Sequence, residues 1–232
     1  MSGVLYGVGV GPGDPELLTI KAVRVIEQAD VIIVPKAGNN RGSTALTIAK
    51  PYISEHTQLL ELVFPMAYDQ QQLSNAWLNN KEVIGQLLDR GHRVVFLTLG
   101  DPMLYSTFIY LHKLLQEDYA IEVVPGVTSF CAVSSCIQYP LAEADETLCI
   151  IPATAPREQV QKLLEYSDNV VMMKASRNSK QLIDQLRQNQ MIENAVLVSR
   201  CGMDGQSIIT DLDDVGEQKL NYFSTILTSK KK

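Results

Sequence analysis

Apolar runs of strand length alternate with amphipathic stretches through the first half of the chain, the pattern of successive strand–helix units. Residues 4–10 read as a strand. Residues 15–29 carry apolar positions at helical spacing, with Asp14 placed as N-cap and Pro15 at the first helical position. Val31-Ile32-Ile33-Val34 is too short and too apolar for anything but a buried strand. Leu59 to Phe64 predicts another strand, and Leu73 to Arg90 a helix that ends at Gly91. A strand at 93–98, a helix at 104–117 and a strand at 120–124 follow. Apolar strands separated by helices imply a mostly parallel sheet covered on both faces.

The second half has a different texture. Strand-like runs fall at 147–151, 169–173, 195–199, 206–210 and 222–228, with helical patterns at 156–166 and 179–189 between the first three. Only the loop from Asp211 to Leu220 separates the last strands, which predicts a mixed sheet with an antiparallel edge. The fold class is therefore α/β with two α/β domains, residues 1–124 and 125–232, the seam lying near Pro125-Gly126 and a helix from about Val127 leading into the second domain.

Composition narrows the function classes. Hydrophobic residues make up 46% of the 232 and charged residues 20%, ample for a packed core. A net charge of −6, with a basic run only at Lys230-Lys231-Lys232, disfavours nucleic acid as a partner. No apolar stretch reaches the roughly 18 residues of a membrane span, and no secretory leader is visible. Cys131, Cys136, Cys149 and Cys201 form no C-x-x-C pair and have no histidine at zinc-finger spacing. They read as buried, reduced thiols of a cytoplasmic protein with no protein-bound metal. His56, His92 and His112 lie in loop or helix-surface contexts and read as surface residues.

Three glycine-proline turns, each closing an apolar strand, carry the candidate chemistry. They are Gly7-Val8-Gly9-Val10-Gly11-Pro12-Gly13-Asp14-Pro15, Leu99-Gly100-Asp101-Pro102 and Pro125-Gly126-Val127-Thr128-Ser129. Open α/β sheets bind ligands outside the carboxyl ends of their strands, so the three turns are expected to converge on one small molecule. A dinucleotide fingerprint begun at Gly7, Gly9 or Gly11 needs glycine at positions that hold Pro12, Asp14 and Glu16, so that motif fails. The phosphate-binding P-loop fails as well, and Pro12 and Pro15 remove amides that a phosphate cradle would use. A tight turn that brings backbone close to an uncharged or cationic ligand remains.

Together the turns resemble the tetrapyrrole methylase family, through Leu5 to Thr19, Leu97 to Thr107 and Val124 to Phe130, and the likeness extends over essentially the whole chain. The resemblance implies an S-adenosylmethionine-dependent methyltransferase that releases S-adenosylhomocysteine, with the cofactor in a cleft between two α/β domains. It places Pro12, Leu99, Gly100, Asp101, Leu104, Thr128 and Ser129 around the cofactor, joined by Met173 and Cys201 from the second domain. It also implies a homodimer. Asp14, by contrast, is fully accounted for as an N-cap.

Within the family, Met103 to Thr107, Thr128-Ser129-Phe130, Pro140-Leu141-Ala142 and Tyr222 to Leu227 point to carbon 20 of precorrin-2 or cobalt-factor II as the acceptor, on the route to cobalamin. The Tyr222 to Leu227 ending and Lys174 after Met172-Met173 lean toward the cobalt form. An acceptor with eight carboxylates needs placed cations, and Lys36, Arg41, Lys174 and Arg177 are the candidates, with Tyr105 beside the cofactor turn. No residue stands out as a general base. Another tetrapyrrole carbon, uroporphyrinogen III, or a non-catalytic cofactor-binding role are the alternatives.

Overall fold

Five apolar runs of the first half pair into one parallel sheet because helices cover both of its faces. The computed structural model describes residues 3–36, 42–64, 70–177, 179–215 and 220–230, with the side chains of residues 70–74, 177 and 214 outside that description. The chain divides into two compact units, Met1–Thr128 and Ser129–Lys232.

In the first unit the order is β1 (Val4–Gly9), α1 (Ile20–Glu27), β2 (Val31–Lys36), α2 (Thr44–Ala49), β3 (Gln58–Val63), α3 (Gln70–Asp89), β4 (Arg93–Thr98), α4 (Phe108–Leu115) and β5 (Ala120–Val124). The strands lie as β3-β2-β4-β1-β5, all parallel. The chain leaves β1 toward β2, beyond β4, and leaves β4 toward β5, beyond β1. Their connections thus run in opposite directions, and the gap at the carboxyl ends of β1 and β4 is the topological switch point where such sheets bind ligands.

Alternate residues serve opposite faces. Tyr6, Val8, Val95 and Leu97 pack with Ala22, Val25 and Ile26 of α1 and with Ala45 and Ile48 of α2. On the other face Leu5, Val94 and Phe96 meet Ile84 and Leu88 of α3 and Phe108, Leu111 and Leu115 of α4. Phe96 and Phe108 are fully buried with ring centroids 5.6 Å apart, each burial contributing roughly 1.5–3 kcal/mol.

Two helices are shorter than their periodicity predicts, because hydroxyls that accept amides of the first turn fix where they begin. Asp14 accepts from the Glu16 amide at 2.9 Å, but it caps only a single 3-10 turn, Pro15–Leu17. Leu18 is extended, and α1 starts after Thr19, whose hydroxyl accepts from the Ala22 amide at 3.1 Å. The helix expected from residue 104 begins at Phe108, where the Ser106 hydroxyl accepts the Phe108 amide (3.1 Å) and is itself bonded to Thr98 (2.8 Å). Helix α2, six residues capped by Ser43, has too few turns to show a period and was not expected.

The second unit contains α5 (Ser129–Ile137), β6 (Leu148–Pro152), α6 (Arg157–Tyr166), β7 (Asn169–Met173), α7 (Ser179–Gln188), β8 (Val196–Ser199), β9 (Ser207–Ile209) and β10 (Ser224–Ser229). Its sheet is mixed, in the order β6-β7-β10-β8-β9. β6 and β7 are parallel, whereas β10 runs antiparallel to both β7 and β8, and β8 and β9 form an antiparallel edge. Antiparallel pairing therefore reaches the middle of the sheet. The central place of β10 follows from its burial: Ser224 to Thr228 are all buried, with α5 lying against the strand and the α6–α7 core built on Ile226. No helix among the described residues is long and apolar enough to cross a membrane.

Candidate functional site

Adjacent strands place their ends together, and β4, β1 and β5 are neighbours, so the three glycine turns of the first unit form one cluster. The Gly100 amide donates to the Gly11 carbonyl at 2.8 Å, and the Val10 amide donates to the Thr98 carbonyl at 3.0 Å, joining the first turn to the second. The third turn is seated by close approach. A Cβ on Gly126 would lie 2.1 Å from the Gly100 carbonyl oxygen, and one on Gly9 would lie 2.4 Å from the same atom. Two glycines therefore clasp one carbonyl at distances no side chain permits. Neither Gly9 nor Gly126 was singled out as a site residue from the sequence, although glycine at the end of each apolar run is the signal that marks both.

Asp101 closes the cluster. Its Oδ1 accepts from the Met103 amide at 2.8 Å and its Oδ2 from the Gly126 amide at 3.1 Å, tying the second turn to the third. Leu104 donates its amide to the Asp101 carbonyl at 3.4 Å, and Leu99 packs against the α1–α2 core. Pro12 is buried beside Gly11.

One side of this cluster is open. Gly100 has φ of +69°, and a Cβ built on it would find no atom nearer than the Val127 carbonyl oxygen at 4.0 Å. The missing side chain leaves room for a ligand against the backbone. Two residues beyond Gly126, the Thr128 hydroxyl is buried and has no hydrogen-bond partner among the described residues. Buried hydroxyls are nearly always paired, so this one points to a partner outside the described residues.

Of the acceptor-binding candidates in this unit, Lys36 ends β2 and its Nζ lies 2.6 Å from Glu61 Oε2, so its charge is already paired. Arg41 lies outside the described residues. Tyr105 is exposed and has φ of +50°, a left-handed conformation that non-glycine residues adopt at a cost of about 1–3 kcal/mol.

In the second unit Ser129 opens α5, and Met173 is the half-buried last residue of β7, paired with Thr225 of β10. Lys174 follows it with φ of +60°, and Arg200, just past β8, has φ of +55°. Since β7 and β8 are both antiparallel to β10, these two strained cations flank its start at one end of the sheet. The backbone of Arg177 ends a 3-10 turn, Ala175–Arg177, and its side chain lies outside the described residues. Cys201 is half-buried, and burial, followed by the neighbouring Cys136 sulfur, pushes its thiol up to about 11.

The cysteines correct one expectation. None of the four is buried: Cys131 and Cys136 are exposed, and Cys149 and Cys201 are partly covered. Cys131 and Cys136 are exposed positions of α5, whose buried positions are Phe130 and Val133.

The family model of tetrapyrrole (corrin/porphyrin) methylases matches residues 4–216. A cobalt-precorrin-2 C(20)-methyltransferase of Salmonella typhimurium is 33% identical over 231 residues, covering 99% of this chain and 98% of that protein. A precorrin-2 C(20)-methyltransferase of a Sinorhizobium species is 32% identical over 242 residues, covering 98% and 97%. Among solved structures, a uroporphyrin-III C-methyltransferase from Thermus thermophilus complexed with S-adenyl homocysteine aligns with a TM-score of 0.70 over 98% of this chain and 97% of that one, at 20% identity.

Proposed function

The chain belongs to the tetrapyrrole methylase family, and from that premise we propose that it transfers a methyl group from S-adenosylmethionine to carbon 20 of precorrin-2 or of its cobalt form, in cobalamin biosynthesis. Relatives named for that carbon match it from end to end, one for the cobalt form and one for the metal-free form. The observation that carries the reading is the turn cluster at the switch point, open over Gly100 and bordered by the Thr128 hydroxyl, which has no partner among the described residues.

The residues fit an adenosyl ligand. Gly100 lets the ligand lie against backbone, Pro12, Leu99 and Leu104 give apolar walls, and the Thr128 and Ser129 hydroxyls offer hydrogen bonds. S-adenosylmethionine, when bound, supplies a methyl group already activated by its sulfonium. The protein's task is then to align donor and acceptor and exclude water, and positioning of this kind lowers a barrier by roughly 7–11 kcal/mol in favourable cases.

Thr128→Val tests the cofactor site with effects of opposite sign. Losing a buried hydroxyl that has no partner among the described residues leaves the free protein at least as stable, while the missing hydrogen bond weakens S-adenosylhomocysteine binding by about tenfold. Melting curves and titration calorimetry on the same preparation read both. Unchanged affinity would place the ligand away from Thr128.

For the acceptor carboxylates, Lys174, Arg177 and Arg41 remain the cations to engage, with Tyr105 beside the cofactor turn. Lys36 contributes only by exchanging Glu61 for substrate. We place the protein in the cytoplasm as a homodimer. The dimer reading is supported by exposed Leu59 and Val63 on one face of the edge strand β3 and by exposed Leu78 and Val83 on α3, which packs on the other face.

The deciding experiment supplies metal-free and cobalt-loaded precorrin-2 side by side, without oxygen, with S-adenosylmethionine. The expected product is one methyl group heavier and carries that methyl on carbon 20. No gain in mass with either acceptor would remove the proposal.

A further inference from the structure

Helix α5 carries Cys136 near its C-terminal end, and the connection between β8 and β9 carries Cys201. The fold brings the two together, since α5 lies against β10 and β10 pairs Ser224 with Ser199, two residues before Cys201. The Cys136 sulfur lies close enough to help hold the Cys201 thiol in its neutral form. Gln206 brackets the pair: its Nε2 donates to Cys136 Sγ at 3.5 Å while its Oε1 accepts from the Gly202 amide at 2.8 Å.

The loop that presents Cys201 is held at several points. The Arg200 amide donates to the Phe223 carbonyl at 2.9 Å, the Met203 amide to the Arg200 carbonyl at 2.9 Å, and Arg200 Nε to the Asp204 carbonyl at 2.6 Å. Cys201 itself stands between two left-handed residues, Arg200 at φ +55° and Gly202 at φ +71°. Backbone strain of this kind persists only where the surroundings over-determine it, and these bonds hold the loop in that conformation.

We propose that Cys136 and Cys201 are a reversible disulfide site whose reaction partner is a small disulfide of the glutathione class. The Cys136 thiolate, exposed at the surface, attacks one sulfur of the small disulfide, forming a mixed disulfide and releasing one glutathione thiolate. Cys201 then gives up its proton and attacks the Cys136 sulfur, expelling the second glutathione. Two protein thiols are oxidised to one disulfide, and one glutathione disulfide is reduced to two thiols. Cys201 keeps its proton until the mixed disulfide stands beside it, because burial and the Cys136 sulfur both hold its thiol in the neutral form. This order makes Cys136 the attacking residue and Cys201 the resolving one. Closing the bond brings the two sulfurs, which Gln206 already brackets, to the roughly 2.05 Å of a disulfide. The bond ties α5 to the β8–β9 connection and is undone by excess thiol.

The test incubates the full chain with glutathione disulfide, alkylates the remaining thiols and maps the peptides by mass spectrometry. Two of the four thiols should be lost, with Cys136 and Cys201 joined in one cross-linked peptide, and dithiothreitol should restore both. Cys201→Ser should stop at a glutathione adduct on Cys136, and Cys136→Ser should leave Cys201 free. A Cys131→Ser/Cys149→Ser protein, which keeps only the pair, should still lose both thiols. Four alkylated cysteines in the oxidised wild type, a persistent adduct on Cys136, or a cross-link to Cys131 or Cys149 would each overturn the proposal. None of these readouts depends on methyl transfer.

Discussion

Gly126→Ala should destabilise the protein by roughly 3 kcal/mol or more and abolish S-adenosylhomocysteine binding. The added Cβ would sit 2.1 Å from the Gly100 carbonyl oxygen and 2.8 Å from the backbone of Gly9. Backbone atoms cannot rotate aside, so the exit of β5 must swing away from β1 and β4. That movement also strips the Gly126 amide from Asp101 and exposes the crevice. Gly100→Ala provides the contrast. Its Cβ meets open space, and the residue pays only for φ of +69°, about 1 kcal/mol. It should fold with modestly reduced stability and still lose affinity, because its methyl group takes the room left for the ligand. Urea denaturation and calorimetry on both variants check this. A Gly126→Ala protein that unfolds with the wild type would mean that the turns tolerate separation.

The parallel sheet was legible because strands covered on both faces are written as nearly unbroken apolar runs, as in Val31 to Val34 and Val94 to Leu97. Helix starts were less legible, since apolar spacing continues through residues that a cap excludes: Thr19 and Ser106 end the extrapolation from Pro15 and Leu104. The glycines of the first turn were visible, but their separate duties were not. Gly7 lies under the Phe108 ring, where a Cβ would come within 2.3 Å, and serves packing of α4 on the sheet, whereas Gly9 and Gly11 build the site. Cysteine exposure is not legible from residue type, because it is decided by position on α5, where Phe130 and Val133 are buried and Cys131 and Cys136 are exposed. The Cys136–Cys201 contact has no sequence signature at all, being made by tertiary packing between segments far apart in the chain. Lys36 illustrates the same limit for charge, since its partner Glu61 is supplied by the neighbouring strand.

Asp101→Asn should lower the stability of the ligand-free protein by about 1–3 kcal/mol, and Asp101→Ala by at least as much. Each carboxylate oxygen accepts a backbone amide, Met103 on one side and Gly126 on the other. Asparagine keeps one acceptor and turns an amino group toward the second amide, so donor faces donor and the tie between turns fails. Alanine removes both acceptors, leaving the Gly126 amide partly buried and unpaired while water reaches the Met103 amide. A carboxylate acting instead as counter-ion to the ammonium or sulfonium of the cofactor predicts a different pattern. Asparagine would then weaken binding while the free protein melted as before, and raising the salt concentration would weaken wild-type binding in parallel. Chemical denaturation without ligand, set beside affinity at two salt concentrations, separates the two roles. The geometry favours the first: Asp101 acts on the cofactor through the Gly126 turn that it holds, and affinity should fall in proportion to the lost stability rather than to the lost charge.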